Sequence, residues 1–422
     1  MQTSVLARLS LGLGIAVLAS SLAQAQRTAP VLDRSQTLKN PSAHGLSGTF
    51  QYRPDSARRA PPTPAGEALP RILLTGYWPP SNEAIRRFSP DPGQNPDGWL
   101  GSNWESRGYD VYSYFPEFNP RDCNNCGKGN GDLEVDYQDT SLDFWRIVDD
   151  IQPIAIITLS RGYIDHNWEL EMNQYNRDTW TGDYVTPFQP TPAPPDDSVP
   201  GGHLRNSSLP VQAIVDAVNA ANIGVNAYIC YSGDGGGFLS EFAAYHGVWS
   251  KEDRDSPADP NWCIAGGHIH VGGQINWSTA QHALRISLRE TISYVDSIRA
   301  GTECQADIGF GGPGSSELRV CGQSLSAGNT ADMMLSGAPA STTAFLIAGI
   351  QNNPTPFKGG LLVPIPFDLF RVFVTDEDGR VTLPGIPGGN GPLTVFGQFV
   401  LPDPLQTQGF SISNTVQIEF QQ

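Results

Sequence analysis

Residues 141–159, SLDFWRIVDDIQPIAIITL, combine one helical pattern and one strand pattern in direct succession. The first part carries apolar side chains at the spacing of one helical face: Leu142, Trp145, Ile147, Val148 and Ile151. Ser141 is a suitable N-cap, and Pro153 ends the helix because proline cannot continue it. The nearly continuous apolar run 154–159 is typical of a strand that is buried on both faces. This succession favours an α/β fold.

The same alternation extends over residues 71–300. Further strands are predicted at 71–76, 109–115, 225–230 and 263–271, and further helices at 210–222 and 279–298. We therefore predict a three-layer αβα domain with a largely parallel or mixed central sheet. In such folds ligands bind at the carboxyl ends of the strands.

Helical periodicity disappears after about residue 301. Short alternating apolar segments separated by glycine-rich turns predict an all-β, sandwich-like domain over residues 301–422. Its closing segment, SNTVQI at 413–418, resembles the last strand of the C-terminal β-modules found in many secreted bacterial proteins. Adhesion, docking and stabilisation all remain open as roles for this module.

The amino terminus has the pattern of an export signal. Arg8 precedes an apolar run that is too short to span a bilayer, and Ala23 and Ala25 form a cleavage site. We expect a signal peptide over 1–25, a disordered leader over 26–70, and a secreted or periplasmic protein without a membrane span. The net charge of −17 argues against a nucleic-acid partner.

Six cysteines are even in number, as expected if all of them form disulfides outside the cytoplasm. Cys123 and Cys126 could be a redox pair, half of a zinc site or a loop disulfide, and export favours the disulfide. The predicted pairs are Cys123 with Cys126, Cys230 with Cys263, and Cys304 with Cys321.

A glycine-rich turn at 232–237 follows a predicted strand and opens a helix that contains Ser240. The first N–H groups of a helix lack partners within it, so a nucleophile in the first turn lies beside ready-made oxyanion donors. An ordinary strand-to-helix turn is the plainer interpretation. A nucleotide-phosphate loop is excluded because no Gly-Lys-Ser/Thr follows.

Residues 71–298 resemble the pyroglutamyl peptidase I family segment by segment. LLTGYWPP at 73–80 is similar to that family's opening "VTGFEPFGG", and GFLSEF at 237–242 is similar to the motif that holds its catalytic cysteine. AGGHIHV at 265–271 resembles "AGFIHIP", and EMNQYN at 171–176 resembles "ERxAxN". The resemblance implies Ser240 as nucleophile, His270 as catalytic histidine and Glu171 as the acidic member, in the family's chain order.

Several positions depart from the family pattern. Ser240 replaces a thiol that would form a thiolate, and a serine hydroxyl needs a base to remove its proton. Arg161 stands where the family has a glutamine that helps to hold the pyroglutamyl ring, and Pro80 stands where an aromatic would close on it. The resemblance assigns substrate binding to five residues: Tyr77, Pro80, Arg161, Phe238 and Leu239.

We therefore expect a peptidase or amide hydrolase that acts on a peptide or an N-terminally blocked small amide. The alternatives are an inactive protein that binds such a ligand in the same cleft, and a surface-binding protein whose main function resides in the β-module. His268 and His270 share one face of a strand and could be a zinc pair, but no third ligand is evident. We predict no metal and no other cofactor. Glu169 is the alternative to Glu171 as acidic partner.

Overall fold

The computed structural model describes residues 69–123, 126–232 and 236–422. The predicted signal peptide, almost all of the predicted leader and the centre of the glycine-rich turn lie outside these residues. The chain divides into two compact units. One contains the described residues up to Asp255 together with Cys263–Ser297, and the other contains Ser256–Trp262 and Ile298–Gln422.

The first unit contains the α-helices of the described residues, apart from the last three residues of the final helix. These are α1 (Ser81–Ile85), α2 (Tyr137–Ile151), α3 (Val211–Ala220), α4 (Leu239–Asp253) and α5 (Trp277–Ala300), with 3₁₀ turns at Arg86–Phe88 and Trp104–Ser106. Its strands are β1 (Arg71–Tyr77), β2 (Asp110–Tyr114), β3 (Pro116–Glu117), β4 (Asn130–Gly131), β5 (Ala155–Arg161), β6 (Asn167–Glu171), β7 (Asn173–Tyr175), β8 (Leu204–Asn206), β9 (Asn226–Cys230) and β10 (Ala265–Val271).

Six of these strands form the central sheet in the order β2-β1-β5-β10-β6-β9. The first four are parallel, β6 is antiparallel to β10, and β9 is parallel to β6. The predicted α/β class with a largely parallel or mixed sheet is thus confirmed. Strand β6 was not predicted, although Trp168 and Leu170 alternate with polar residues as in a strand with one apolar face.

Helices cover both faces of the sheet. Helix α4 crosses β5 and β10 on one face, with α2 packed beside it. The approach is close because two glycines lie at the crossing: a Cβ on Gly247 would lie 3.1 Å from Thr158 Cγ2, and one on Gly266 would lie 3.1 Å from the Gly247 carbonyl oxygen. On the other face, the indole of Trp168 donates a hydrogen bond to Ser287 of α5.

The predicted N-cap of α2 is wrong. The helix starts one turn earlier than predicted, and Asp136 caps it by accepting hydrogen bonds from the amides of Gln138 and Asp139. Ser141 instead lies within the helix, where its hydroxyl is 3.1 Å from His246 Nε2 in the core. The other ring nitrogen, Nδ1, is 2.8 Å from the Phe242 carbonyl oxygen. Because a carbonyl only accepts, Nδ1 carries the proton and Nε2 accepts from Ser141.

The second unit is built from antiparallel strands, as predicted. They are β11 (Glu303–Cys304), β12 (Ala306–Asp307), β13 (Glu317–Gly322), β14 (Thr330–Ser336), β15 (Thr343–Gly349), β16 (Thr355–Phe357), β17 (Gly360–Leu362), β18 (Leu369–Val374), β19 (Val381–Pro387), β20 (Leu393–Pro402), β21 (Phe410–Ile412) and β22 (Val416–Phe420). One sheet has the order β11-β13-β14-β19, and the other has the order β12-β22-β20-β15-β18 with β21 paired to β20. A shared apolar core lies between the two sheets. Asp259, from the segment Ser256–Trp262, pairs with Arg380 of this unit.

Two of the three predicted disulfides are present, Cys123–Cys126 and Cys304–Cys321. The predicted bond between Cys230 and Cys263 is wrong, because both thiols are free. Cys230 ends β9, Cys263 precedes β10, and β6 lies between these two strands. Two strand spacings amount to about 9.6 Å, which exceeds the span of about 7 Å that a disulfide can bridge.

None of the described helices combines the length and the apolar character that a bilayer span requires.

The buried His246 generates a prediction about acid stability. Burial lowers the pKa of His246 to about 4 in the folded protein, well below its ordinary value. Below pH about 6.5 the unfolded chain therefore takes up a proton that the folded chain cannot, and the free energy of unfolding falls by up to about 1.4 kcal/mol per pH unit down to about pH 4. This stabilisation is fully present above the unfolded pKa. Urea denaturation between about pH 7.5 and about pH 5.5 measures the effect.

The matched comparison is His246→Gln with His282→Gln, since His282 is exposed on α5. The His246 variant should lose less stability on acidification than the wild type, and the His282 variant should lose as much. Equal acid sensitivity of the wild type and His246→Gln would contradict the assignment.

Candidate active site

Polar side chains occupy two adjacent rows on one face of the central sheet. Strands alternate their side chains between faces, and residues paired across neighbouring strands share a face. The outer row, near the carboxyl ends of β1, β5 and β10, is Tyr77, Ser160, His270, Glu169 and Tyr228. The inner row is Thr75, Thr158, His268, Glu171 and Cys230. Helix α4 packs over this same face.

Glu171 and His270 form a buried pair between the two rows. Glu171 Oε1 lies 2.8 Å from His270 Nδ1, and Glu169 Oε2 lies 3.9 Å from the same nitrogen. A carboxylate accepts the hydrogen bond, so Nδ1 carries the proton in the neutral imidazole and Nε2 is left unprotonated. This tautomer is the one that a general base needs. Glu171, rather than Glu169, is the closer partner of the imidazole.

Ser240 lies in the first turn of α4 and is half-buried. The helix follows Phe238, whose backbone is extended and whose side chain makes no capping hydrogen bond. The first N–H groups of a helix have no acceptor within the helix itself, and those of α4 lie in the same turn as Ser240. The partial positive charge of a helix N-terminus favours negative charge at this position.

One cavity of about 230 Å³ brings Ser240, His270 and Glu171 together. The other residues that line it are Tyr77, Trp78, Val135, Ser160, Arg161, Gly162, Tyr163, Glu169, Gly236, Phe238 and Leu239. A hydroxyl, an imidazole with a paired carboxylate and a helix N-terminus thus lie at one cavity that is open to solvent. This set of groups is suited to acyl transfer.

A second histidine, His268, lies next to the cavity in the inner row of the same sheet face. His268 is buried, with Nδ1 2.8 Å from Thr158 Oγ1 and Nε2 2.9 Å from Ser160 Oγ. Burial, and then the neighbouring His270, lower the pKa of His268 well below its ordinary value. His268 is therefore neutral, with both nitrogens engaged. It does not form a zinc pair with His270 in this arrangement.

Four of the five predicted substrate-binding residues line the cavity: Tyr77, Arg161, Phe238 and Leu239. Pro80 does not, since it is buried beside the start of α1. The hydroxyl of Tyr77 is 2.7 Å from Thr140 Oγ1, and burial raises the pKa of this tyrosine. Tyr77 therefore presents its ring rather than a charged oxygen to a ligand.

Trp78 was not predicted to line the cavity. Its backbone is left-handed, with φ of 56°, and its ring centroid lies 6.1 Å from that of Phe238. The indole nitrogen is buried and has no hydrogen-bond partner among the described residues. Its neighbour Tyr77 was predicted to bind substrate. The sequence contains no signal for the left-handed backbone at Trp78, which places the indole in the same cavity. A sequence signal for Ser160 does exist. His268 and His270 alternate on one face of β10, and the same alternation on β5 places Thr158 and Ser160 on one face.

No protein-family model matches the chain, and neither does any curated protein. Among solved structures, pyroglutamyl peptidase I from Bacillus amyloliquefaciens is 18% identical, with coverage of 54% of this chain and 98% of its own and a TM-score of 0.38. Pyrrolidone carboxyl peptidase from Thermococcus litoralis is 15% identical, with coverage of 54% and 96% and a TM-score of 0.39. The corresponding enzyme from Pyrococcus furiosus is 13% identical, with coverage of 53% and 99% and a TM-score of 0.38. Identity this low leaves substrate and activity to be argued from the residues of this chain.

Proposed function

We propose that the α/β unit is a hydrolase of N-terminal amide or peptide bonds that uses Ser240, His270 and Glu171. The observation that carries the proposal is the 2.8 Å contact between Glu171 Oε1 and His270 Nδ1 in a cavity that Ser240 also lines. The ordered sequence resemblance to the pyroglutamyl peptidases supports the same three residues.

In the proposed reaction, Ser240 Oγ attacks the carbonyl carbon of the scissile amide while its proton passes to His270 Nε2. The amides at the start of α4 stabilise the oxyanion that develops on the carbonyl oxygen. His270 then gives the proton to the leaving amine as the C–N bond breaks, which leaves an acyl ester on Ser240. A water molecule, deprotonated by His270, hydrolyses the ester and restores the free serine.

Glu171 is assigned the positioning role. It is only 3% exposed, so little water screens its attraction for the imidazolium that forms during the reaction. The Glu171 carboxylate matters more for a serine nucleophile than for a cysteine. A thiol can ionise before the attack, whereas a hydroxyl gives its proton to the imidazole during the attack and so generates the imidazolium that Glu171 stabilises.

The cavity favours a small acyl group. Its volume of about 230 Å³ is smaller than the roughly 300 to 1,000 Å³ of common ligand pockets. The rings of Tyr77, Trp78 and Phe238 supply apolar walls, and Arg161 supplies a cation that can bind a carbonyl or carboxylate of the acyl group. These features favour one N-terminally blocked residue over an extended peptide. Because Arg161 replaces the family's glutamine, the acyl group need not be pyroglutamyl.

The alternative function is binding of the same class of ligand without hydrolysis. The presence of serine where the family has a thiol favours it. The two proposals differ in the role of Ser240. If the protein only binds the ligand, replacement of Ser240 should leave its function intact.

Kinetics on a panel of N-blocked amides, including pyroglutamyl amides, distinguish the two. Ser240→Ala should lower kcat by at least about a thousandfold, because the substitution removes the hydroxyl that attacks the carbonyl carbon. Glu171→Gln should lower kcat by about 10² to 10⁴, with a smaller change in KM, because the amide cannot stabilise the imidazolium.

Ser232→Ala is the matched control, since Ser232 begins the glycine-rich turn before α4 but does not line the cavity. It should retain wild-type kcat. Hydrolysis by Ser240→Ala at the wild-type rate would refute the nucleophile, and binding of an N-blocked amide without turnover by the wild type would favour the alternative.

We also propose that the protein is exported. The signal-like pattern of residues 1–25 supports this, as do two disulfides of a kind that persists outside the reducing cytoplasm.

Export predicts a mature chain that begins at Gln26. Intact-mass measurement of protein recovered from the periplasm or medium of an expressing bacterium should show loss of residues 1–25. Substitution of Ala23 and Ala25 by bulky residues should abolish the cleavage. Accumulation of the full-length chain in the cytoplasm would overturn this proposal and leave the hydrolase proposal untouched.

A further inference from the structure

Glu169, Glu171 and Cys230 converge at the inner edge of the cavity. Glu169 and Glu171 share one face of β6, and Cys230 on β9 is the cross-strand neighbour of Glu171. One ligand atom from each of the three side chains, two carboxylate oxygens and the thiol sulfur, lies within 4.8 Å of the others. The cluster therefore combines hard and soft donors from two adjacent strands.

The cluster contains two carboxyl groups side by side on one strand. Among the described residues, the ion pairs of Glu169 and Glu171 are with His270 alone. Glu171 is 3% exposed, and its second oxygen, Oε2, is buried without a hydrogen-bond partner. A buried carboxylate oxygen without a donor destabilises the folded protein, because it has lost its hydration without gaining a partner. A cation bound between the three side chains would remove this cost.

We propose that Glu169, Glu171 and Cys230 form a binding site for a thiophilic divalent cation, with Zn²⁺ as the preferred ion. Zinc accepts carboxylate oxygen and thiolate sulfur together, whereas Mg²⁺ and Ca²⁺ prefer oxygen alone. The Cys230 thiol loses its proton to solvent as the sulfur binds. From the sequence, His268 and His270 are candidate zinc ligands without an evident third. The ligands proposed here are different, and His270 lies next to them without binding the ion.

The geometry requires little rearrangement. Zinc bonds of about 2.0 Å to oxygen and about 2.3 Å to sulfur separate tetrahedral ligand atoms by roughly 3.3 to 3.6 Å, so the most distant donors must approach by about 1 Å. Glu169 and Cys230 are half-buried, and Cys230 Sγ lies 3.0 Å from the hydroxyl of exposed Ser232. An ion can therefore reach the site from solvent, and a water can complete its coordination.

Occupancy of the site would inhibit the hydrolase. A cation bound to Glu171 competes with the hydrogen bond that this residue makes with His270 Nδ1, 2.8 Å away. The imidazole would then lose the group that sets its tautomer. This consequence rests on the proposed function, whereas the binding of the cation does not.

The test is titration of the metal-free, full-length protein with Zn²⁺ and Co²⁺ under non-reducing conditions. The absence of reductant keeps Cys123–Cys126 bonded, so that this pair cannot bind the metal. Calorimetry gives the affinity and stoichiometry for Zn²⁺, and absorption of the Co²⁺ complex reports a sulfur-to-cobalt charge-transfer band. The wild type should bind one cation through Cys230 and show this band.

Two variants and one control locate the site. Cys230→Ser should weaken Zn²⁺ binding by at least about tenfold and abolish the charge-transfer band. Glu169→Gln should weaken binding but keep the band at saturating Co²⁺. Cys263→Ala, which removes the other free and fully buried thiol, should behave as the wild type. Circular dichroism melts verify that each variant is folded.

Failure of the wild type to bind either ion saturably, or wild-type binding by Cys230→Ser, would overturn the site. A separate measurement follows hydrolysis. Zn²⁺ should inhibit the wild type reversibly, with recovery on chelation, and Cys230→Ser should need at least about tenfold more Zn²⁺ for the same inhibition. Zn²⁺ binding without detectable hydrolysis would refute the proposed hydrolase while it supported the metal site.

Discussion

The hydrogen-bonded register of β5, β10, β6 and β9 is the constraint on which the site depends. It aligns Ser160, His270 and Glu169 in one row and Thr158, His268 and Glu171 in the next. Side chains alternate between faces, so a slip of one residue would turn these groups into the opposite layer and bring apolar side chains into the cavity. The apolar residues that set the strand register therefore also determine which polar side chains face the cavity.

A polar face beneath a helix is stable only if its groups are paired. His268 uses both nitrogens for Thr158 and Ser160, and His270 uses Nδ1 for Glu171. Helix α4 can lie close over this face because Gly247 and Gly266 leave room at the crossing. The same close packing brings the first turn of α4, with Ser240, to the cavity. Packing and site geometry thus have a common origin, and the unpaired Glu171 Oε2 is the exception that suggests a bound cation.

Much of this could be predicted from the sequence, because apolar periodicity is local. It predicted the helix near 141–151 and the strands near 154–159 and 263–271, with the α/β class. Pairings between distant strands could not be read in the same way. The insertion of β6 beside β10 separates Cys230 from Cys263 and brings Cys230 next to Glu171. The cap at Asp136 and the left-handed turn at Trp78 likewise depend on backbone geometry that neither periodicity nor the resemblance specifies.

The proposed reaction depends on activation of the Ser240 hydroxyl by His270. Covalent labelling with a serine-directed phosphonate probe, located by peptide mass spectrometry, measures this activation. We expect stoichiometric modification of Ser240, lost in His270→Ala and prevented by prior denaturation. Absence of labelling in the folded wild type, or modification of Ser160 in place of Ser240, would contradict it.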